Sequence, residues 1–118
     1  MKFRKGDIVE LDLNKVSVNL GKNIQFLKRP QVIISNNINN KGHSPIVNIA
    51  AMSKQISKEK YPMHIKLLKK KYGLEYDSLI YCEQVLTVNK DCIKRIIGHL
   101  DADDIKLLNK ALAVQLIS

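Results

Sequence analysis

Hydrophobic and polar positions alternate with period two near the start of the chain. After a turn at Gly6-Asp7, residues 8–13 set Val9, Leu11 and Leu13 against Glu10 and Asp12, the pattern of a half-buried strand. Residues 14–28 have no clean period and predict a long loop, and loops of that length in compact domains are often functional. Arg29-Pro30 leads into a short apolar strand at residues 31–35. Asn36, Asn37, Asn39, Asn40 and Gly42 then predict turns. Residues 45–53 hold a second buried run, Ile46-Val47-Asn48-Ile49-Ala50-Ala51, and a polar loop follows at 54–61. Alternation returns at 63–67, with His64 and Lys66 on one face, and residues 67–72 predict one or two helical turns stopped by Gly73. A long strand is expected at 78–88 and a last short one at 95–100. The clearest helix is 101–118: Asp101 is a good N-cap, Asp103 and Asp104 suit the first turn, and Ile105, Leu108, Leu112 and Leu116 share one face. No repeat or linker divides the chain, so a single domain over 1–118 is expected. Short strands at this density with one terminal helix predict a mostly β fold, a strongly bent sheet or small barrel.

Composition narrows the class. With 45% hydrophobic and 26% charged residues in 118, the chain is globular rather than disordered. No apolar run approaches the about 18 residues of a membrane span. The charged opening residues carry no apolar signal core, which predicts a cytoplasmic protein with no membrane role. Cys82 and Cys92 are then expected as reduced thiols, with a disulfide between them the lesser alternative. His43, His64 and His99 show no zinc-ligand spacing relative to the cysteines, so no metal site is expected.

Charge changes the picture most. The formal net charge is +9. Residues 54–71 hold seven lysines (54, 58, 60, 66, 69, 70 and 71) against Glu59 alone. Such an excess predicts attraction to polyanions, nucleic acid being the commonest, although a merely solvated basic surface has the same composition. Enzyme motifs with a phosphate-binding glycine loop, G-x-S-x-G or H-E-x-x-H are absent. With no Trp, four Tyr and two Phe, aromatic stacking platforms are sparse.

Several segments, in order, resemble the MazF/PemK family of toxin ribonucleases. They are Lys5-Gly6-Asp7-Ile8-Val9 with Asp12-Leu13; Lys28-Arg29-Pro30-Gln31-Val32-Ile33-Ile34-Ser35-Asn36; Ser44-Pro45 with Ile49-Ala50-Ala51-Met52-Ser53; and Tyr61-Pro62-Met63-His64-Ile65. Tyr72-Gly73-Leu74, Asp77-Ser78, Glu83-Gln84-Val85-Leu86-Thr87 and His99-Leu100-Asp101 continue the match over nearly the whole chain. The resemblance implies a small SH3-like β-barrel of the MazF/PemK/CcdB type that forms a homodimer. It also implies an RNA-binding toxin that cleaves single-stranded RNA without cofactor or metal, and a cognate antitoxin partner. By the same resemblance Arg29 and Ser53 are the catalytic positions, and Gln25, Lys28 and Gln84 are expected to hold RNA. A guanidinium suits this chemistry because its paired donors match phosphate geometry, and a hydroxyl adds a further donor.

The chain departs from the family at the Gly-Gly pair that many members carry two residues before the Arg, here Phe26 and Leu27. The family's usual Glu is Ile24, its Thr is Ser53, and its Arg in E-Q-I-R-T is Leu86. Glycines permit close backbone approach, so their replacement is expected to reshape the loop over the RNA groove. These changes keep open a second class of function, a non-catalytic binding module on the same scaffold that uses the 54–71 surface.

Overall fold

The computed structural model describes residues 2–16, 27–54 and 61–117. Six strands, β1 (Asp7–Leu11), β2 (Gln31–Ile33), β3 (Ile46–Lys54), β4 (His64–Leu67), β5 (Ser78–Asn89) and β6 (Ile93–His99), form one antiparallel sheet. Its order is β4-β5-β3-β2-β1-β6. Helices α1 (Asn37–Lys41) and α2 (Lys69–Tyr72) are short, and α3 (Ala102–Ile117) ends the described chain. Register breaks at Ile8/Val9, Glu10/Leu11 and Ala50/Ala51 mark bulges, which bend strands and raise their twist. The mostly β fold with a terminal helix is as expected, but among the described residues the sheet is not closed: β4 and β6 are both edges. No described helix is long and apolar enough to cross a membrane.

The first strand meets apolar packing on both of its faces, so it is not half-buried as its alternation predicts. Ile8 and Val9 are each fully buried, but in different cores. On one face α3 lays Leu108, Ala111 and Leu112 against Ile8, Val32, Ala50, Met52 and Ile80. On the other, Val9, Ile33, Val47, Ile49, Val88 and Ile93 pack with Phe3 and Leu27. In β1, β2 and the middle of β3, alternation therefore sorts side chains between two apolar layers rather than between core and water. Cys82 belongs to the first layer and Cys92 to the second, and both are free thiols. Burial pushes the Cys82 thiol up to about 12.

The terminal helix begins as read. Asp101 accepts a hydrogen bond from the Asp104 backbone N–H at 2.8 Å, the N-cap contact. Its expected apolar face holds through Leu112 and then fails, since Leu116 is 69% exposed. The asparagine-rich stretch is α1 instead of turns. Asn36 caps it by accepting from the Asn39 N–H, so the residue type that suggested a turn serves a helix end.

Candidate functional site

Ladder register explains how the two expected catalytic residues meet. β2 and β3 pair Gln31 with Ala51, Val32 with Ala50 and Ile33 with Ile49. Continuing that antiparallel register two residues beyond β2 sets position 29 opposite position 53. The Arg29 guanidinium Nη1 does donate to the Ser53 hydroxyl. Pro30 between Arg29 and β2 favours an extended Arg29 backbone. The buried Gln31 side chain adds a hydrogen bond to the Arg29 carbonyl at 3.2 Å. Arg29 is thus an exposed head on a braced backbone, and Ser53 lies next to last in β3.

The pair faces a cleft of about 520 Å³. Three segments line it, Lys28 to Pro30, Met52 to Lys54 and the turn Gly73–Tyr76, together with Glu10, Ser78 and Ile97. Glu10 is held by Arg95 in a two-pronged ion pair at 2.8 and 3.1 Å. With Glu10 so neutralised, Lys28, Arg29 and Lys54 outweigh Glu75, and the cleft is electropositive.

Residues 73–78 are fixed by their own hydrogen bonds. Gly73 takes a left-handed conformation at φ 66° to end α2, and the Leu74 N–H donates to the Lys69 carbonyl at 3.0 Å. The Asp77 carboxylate accepts from the Lys69 N–H at 2.9 Å, and the Ser78 hydroxyl donates to the Tyr76 carbonyl at 3.0 Å. This turn presents Tyr76 to the cleft with the Lys54 ammonium 4.5 Å from its ring centre. The Tyr76 phenol is shifted up by its hydrogen bond to Glu75, and the nearby Arg29 opposes that shift. Such a cleft can seat an anion: a guanidinium and a hydroxyl converge, and lysines flank them.

Of the expected RNA contacts, Lys28 lines the cleft. Gln84 does not: it is exposed on β5 in the stretch between Tyr81 and Val85 where the register with β3 breaks. Gln25 lies outside the described residues, as do Ile24, Phe26 and lysines 58 and 60 of the basic run. Leu27 is 3% exposed and packs into the second apolar layer, and Leu86 is packed against that same layer. Both replacements therefore add to the core. His64 is elsewhere, bonded to Glu83 at 2.7 Å and set edge-on to Tyr61 and Tyr81. His99 is bonded to the buried Asp7 at 2.8 Å. Among the described residues no three His, Cys, Asp or Glu side chains are grouped to hold a metal ion.

Glu10, Glu75 and Tyr76 were not legible as cleft residues. Only Gly73, as a helix stop, hinted that the chain turns back there.

Comparison with known proteins agrees with this fold and with the family resemblance. The profile of the PemK-like, MazF-like toxins of type II toxin–antitoxin systems matches residues 4–116. A curated relative, the endoribonuclease MazF of Staphylococcus saprophyticus, is 37% identical over 114 residues, 97% of this chain and 91% of the relative. Among solved structures, a mycobacterial endoribonuclease superposes with a TM-score of 0.72 at 19% identity, covering 98% of this chain and 92% of its own. A mycobacterial endoribonuclease in complex with its cognate antitoxin gives 0.70 at 19% identity, covering 97% and 94%. MazF from Deinococcus radiodurans gives 0.69 at 14%, covering 98% and 97%. These distant structures establish the fold, while the profile and the 37% relative establish kinship: the chain belongs to the PemK-like, MazF-like toxin family of type II toxin–antitoxin systems.

Proposed function

We propose that this protein is the endoribonuclease toxin of a toxin–antitoxin pair, cutting single-stranded RNA in the cytoplasm with Arg29 and Ser53 at the scissile phosphate. The observation that carries this reading is the Arg29–Ser53 hydrogen bond at an open, electropositive cleft. The 2′-hydroxyl of the substrate is the nucleophile. It attacks the adjacent phosphorus as the bond to the 5′-oxygen breaks, leaving a 2′,3′-cyclic phosphate and a 5′-hydroxyl. The protein supplies no covalent nucleophile. It holds the phosphate in line and stabilises the charge that grows on the non-bridging oxygens. Arg29 does this with the paired donors of its guanidinium, in a role of charge stabilisation rather than proton transfer. When phosphate displaces Ser53 from the guanidinium, the hydroxyl is free to donate to the same centre. Lys28 and Lys54 attract the chain on either side.

Two further parts of the reading follow from the family resemblance: a homodimer, and a cognate antitoxin that blocks the cleft. Light scattering of the purified protein tests the first, and loss of cleavage on adding the co-encoded antitoxin tests the second. For the activity itself, a long single-stranded RNA is incubated with wild type or Arg29→Ala in excess EDTA, and the new 5′ ends are sequenced. Cuts at one short motif that vanish in the variant support the assignment. An intact RNA with folded wild-type protein refutes it in favour of a binding module.

A further inference from the structure

We propose that Tyr76 is the stacking platform for a nucleobase that flanks the scissile phosphate, an inference that rests on the endoribonuclease reading above. Tyr76 is the only aromatic side chain among the described residues lining the Arg29–Ser53 cleft, and it is 45% exposed. A large ring left in water at the rim of a charged cleft contributes little to folding. It is nevertheless held in place: the left-handed Gly73, the Asp77 carboxylate on Lys69 and the Ser78 hydroxyl on the Tyr76 carbonyl fix the turn on both sides. That is preorganisation of a group for contact with something outside the fold.

The neighbouring cation points to the chemistry of the ligand. The Lys54 ammonium lies 4.5 Å from the ring centre, and Lys54 directly follows Ser53 on β3. A phosphate seated at Arg29 and Ser53 brings the attached nucleoside to the same rim and its neighbouring phosphate within reach of Lys54. The base takes the ring face and the ammonium takes the phosphate, so each finds a stronger partner than it has in the free protein. Stacking on an aromatic ring tolerates every base but favours the larger ones, which gives Tyr76 a part in cleavage preference as well as affinity.

The test uses the whole protein and a short single-stranded RNA with one cut site. The same RNA is also made with an abasic nucleotide on either side of the scissile phosphate. Tyr76→Ala is expected to raise KM about 5- to 150-fold, the range of base–aromatic stacking, with kcat little changed. Tyr76→Phe keeps the ring and is expected to restore KM. At one flanking position the abasic substitution is expected to cost wild type the same factor and to cost Tyr76→Ala nothing more. If Phe is as harmful as Ala, Tyr76 acts through its hydroxyl bond to Glu75 and the platform is overturned. Penalties of Tyr76→Ala and the abasic sites that multiply overturn it equally. A wild type that cuts no RNA overturns the endoribonuclease reading itself, and the platform with it.

Discussion

Arg29 and Ser53 are 24 residues apart in sequence, and a hydrogen bond across the prolonged β2–β3 ladder joins them. Ser53 stands on β3 and Arg29 two residues before β2, and their hydrogen bond aligns the pair before substrate binds. Arg29→Ala is expected to lower kcat about 10²–10³-fold, the usual loss for one preorganised donor. Arg29→Lys should recover little, because a point charge lacks the paired donors. Ser53→Thr, which keeps the hydroxyl, should retain activity, and Ser53→Ala should fall between Thr and Arg29→Ala. Single-turnover cleavage measures the effects. Unchanged thermal melting of the Arg29 variants, as befits an exposed head group, would show that their losses are not losses of fold.

Binding should depend steeply on salt. Lys28, Arg29 and Lys54 line one cleft, and each phosphate neutralised releases condensed counterions. The log–log slope of affinity against salt for a non-cleavable RNA is expected near −0.7 per phosphate contact. Lys54→Met should make the slope shallower by about one such contact. A slope indifferent to Lys54 removes it from the RNA path.

Sequence periodicity carried the elements well where one physical cause dominated. The last helix was legible because Asp101 caps it and Leu108 and Leu112 repeat on its inner face. Motif resemblance singled out Arg29 and Ser53, and the register of β2 on β3 supplies the reason their side chains meet. The cleft's third side was not legible. Glu75 and Tyr76 reach it through a left-handed glycine and three turn hydrogen bonds, none of which leaves a periodic trace. The place of Leu27 was not legible for a related reason. Its position beside the expected groove loop left its direction open, and its side chain is buried in the second apolar layer, which alternation alone does not separate from the first.

Gly73 links stability to the site. Its φ of 66° is left-handed, and a Cβ added there meets nothing within 4 Å. Gly73→Ala therefore carries only the backbone penalty, about 1–2 kcal/mol, with no clash. Urea unfolding should show that loss, and KM should rise with it because the turn that carries Tyr76 relaxes. Gly73→Asn tolerates the left-handed region and is expected to lose less on both counts. A KM unmoved by a destabilised Gly73→Ala separates this turn from substrate binding.

Cys82 should be chemically silent in the folded protein. It is fully buried in the layer under α3, and burial raises its thiol to about 12, so almost no thiolate exists at pH 8. Mass spectrometry after iodoacetamide treatment is expected to find Cys82 unmodified in native protein and modified in urea. Native labelling at the global unfolding rate is consistent with this; faster labelling signals local opening of the α3 layer.

Acid should weaken the anchor of α3 on α2. Lys71 Nζ lies 2.5 Å from the Asp101 carboxylate and 3.1 Å from that of Asp104, and Tyr72 donates to Asp104. The Lys71 bond, then the Asp104 backbone N–H, hold the Asp101 carboxyl below its ordinary range. A native carboxyl shifted down stabilises the fold fully above its unfolded value, about pH 4, and loses that contribution as pH falls through the lowered native value. Lys71 is shifted up by Asp101 and then Asp104, so its share is complete below the ordinary lysine range and fades only in strong alkali. Asp101→Asn can keep the cap hydrogen bond and removes the charge. Melting temperatures of wild type and Asp101→Asn are therefore expected to differ between about pH 5 and 9 and to converge as the pH falls through the lowered native value. Both side chains are nearly half exposed, so 1 M salt should narrow the gap. Curves that stay parallel from neutral pH into acid would show that Asp101 acts as a cap alone, with no contribution from its charge.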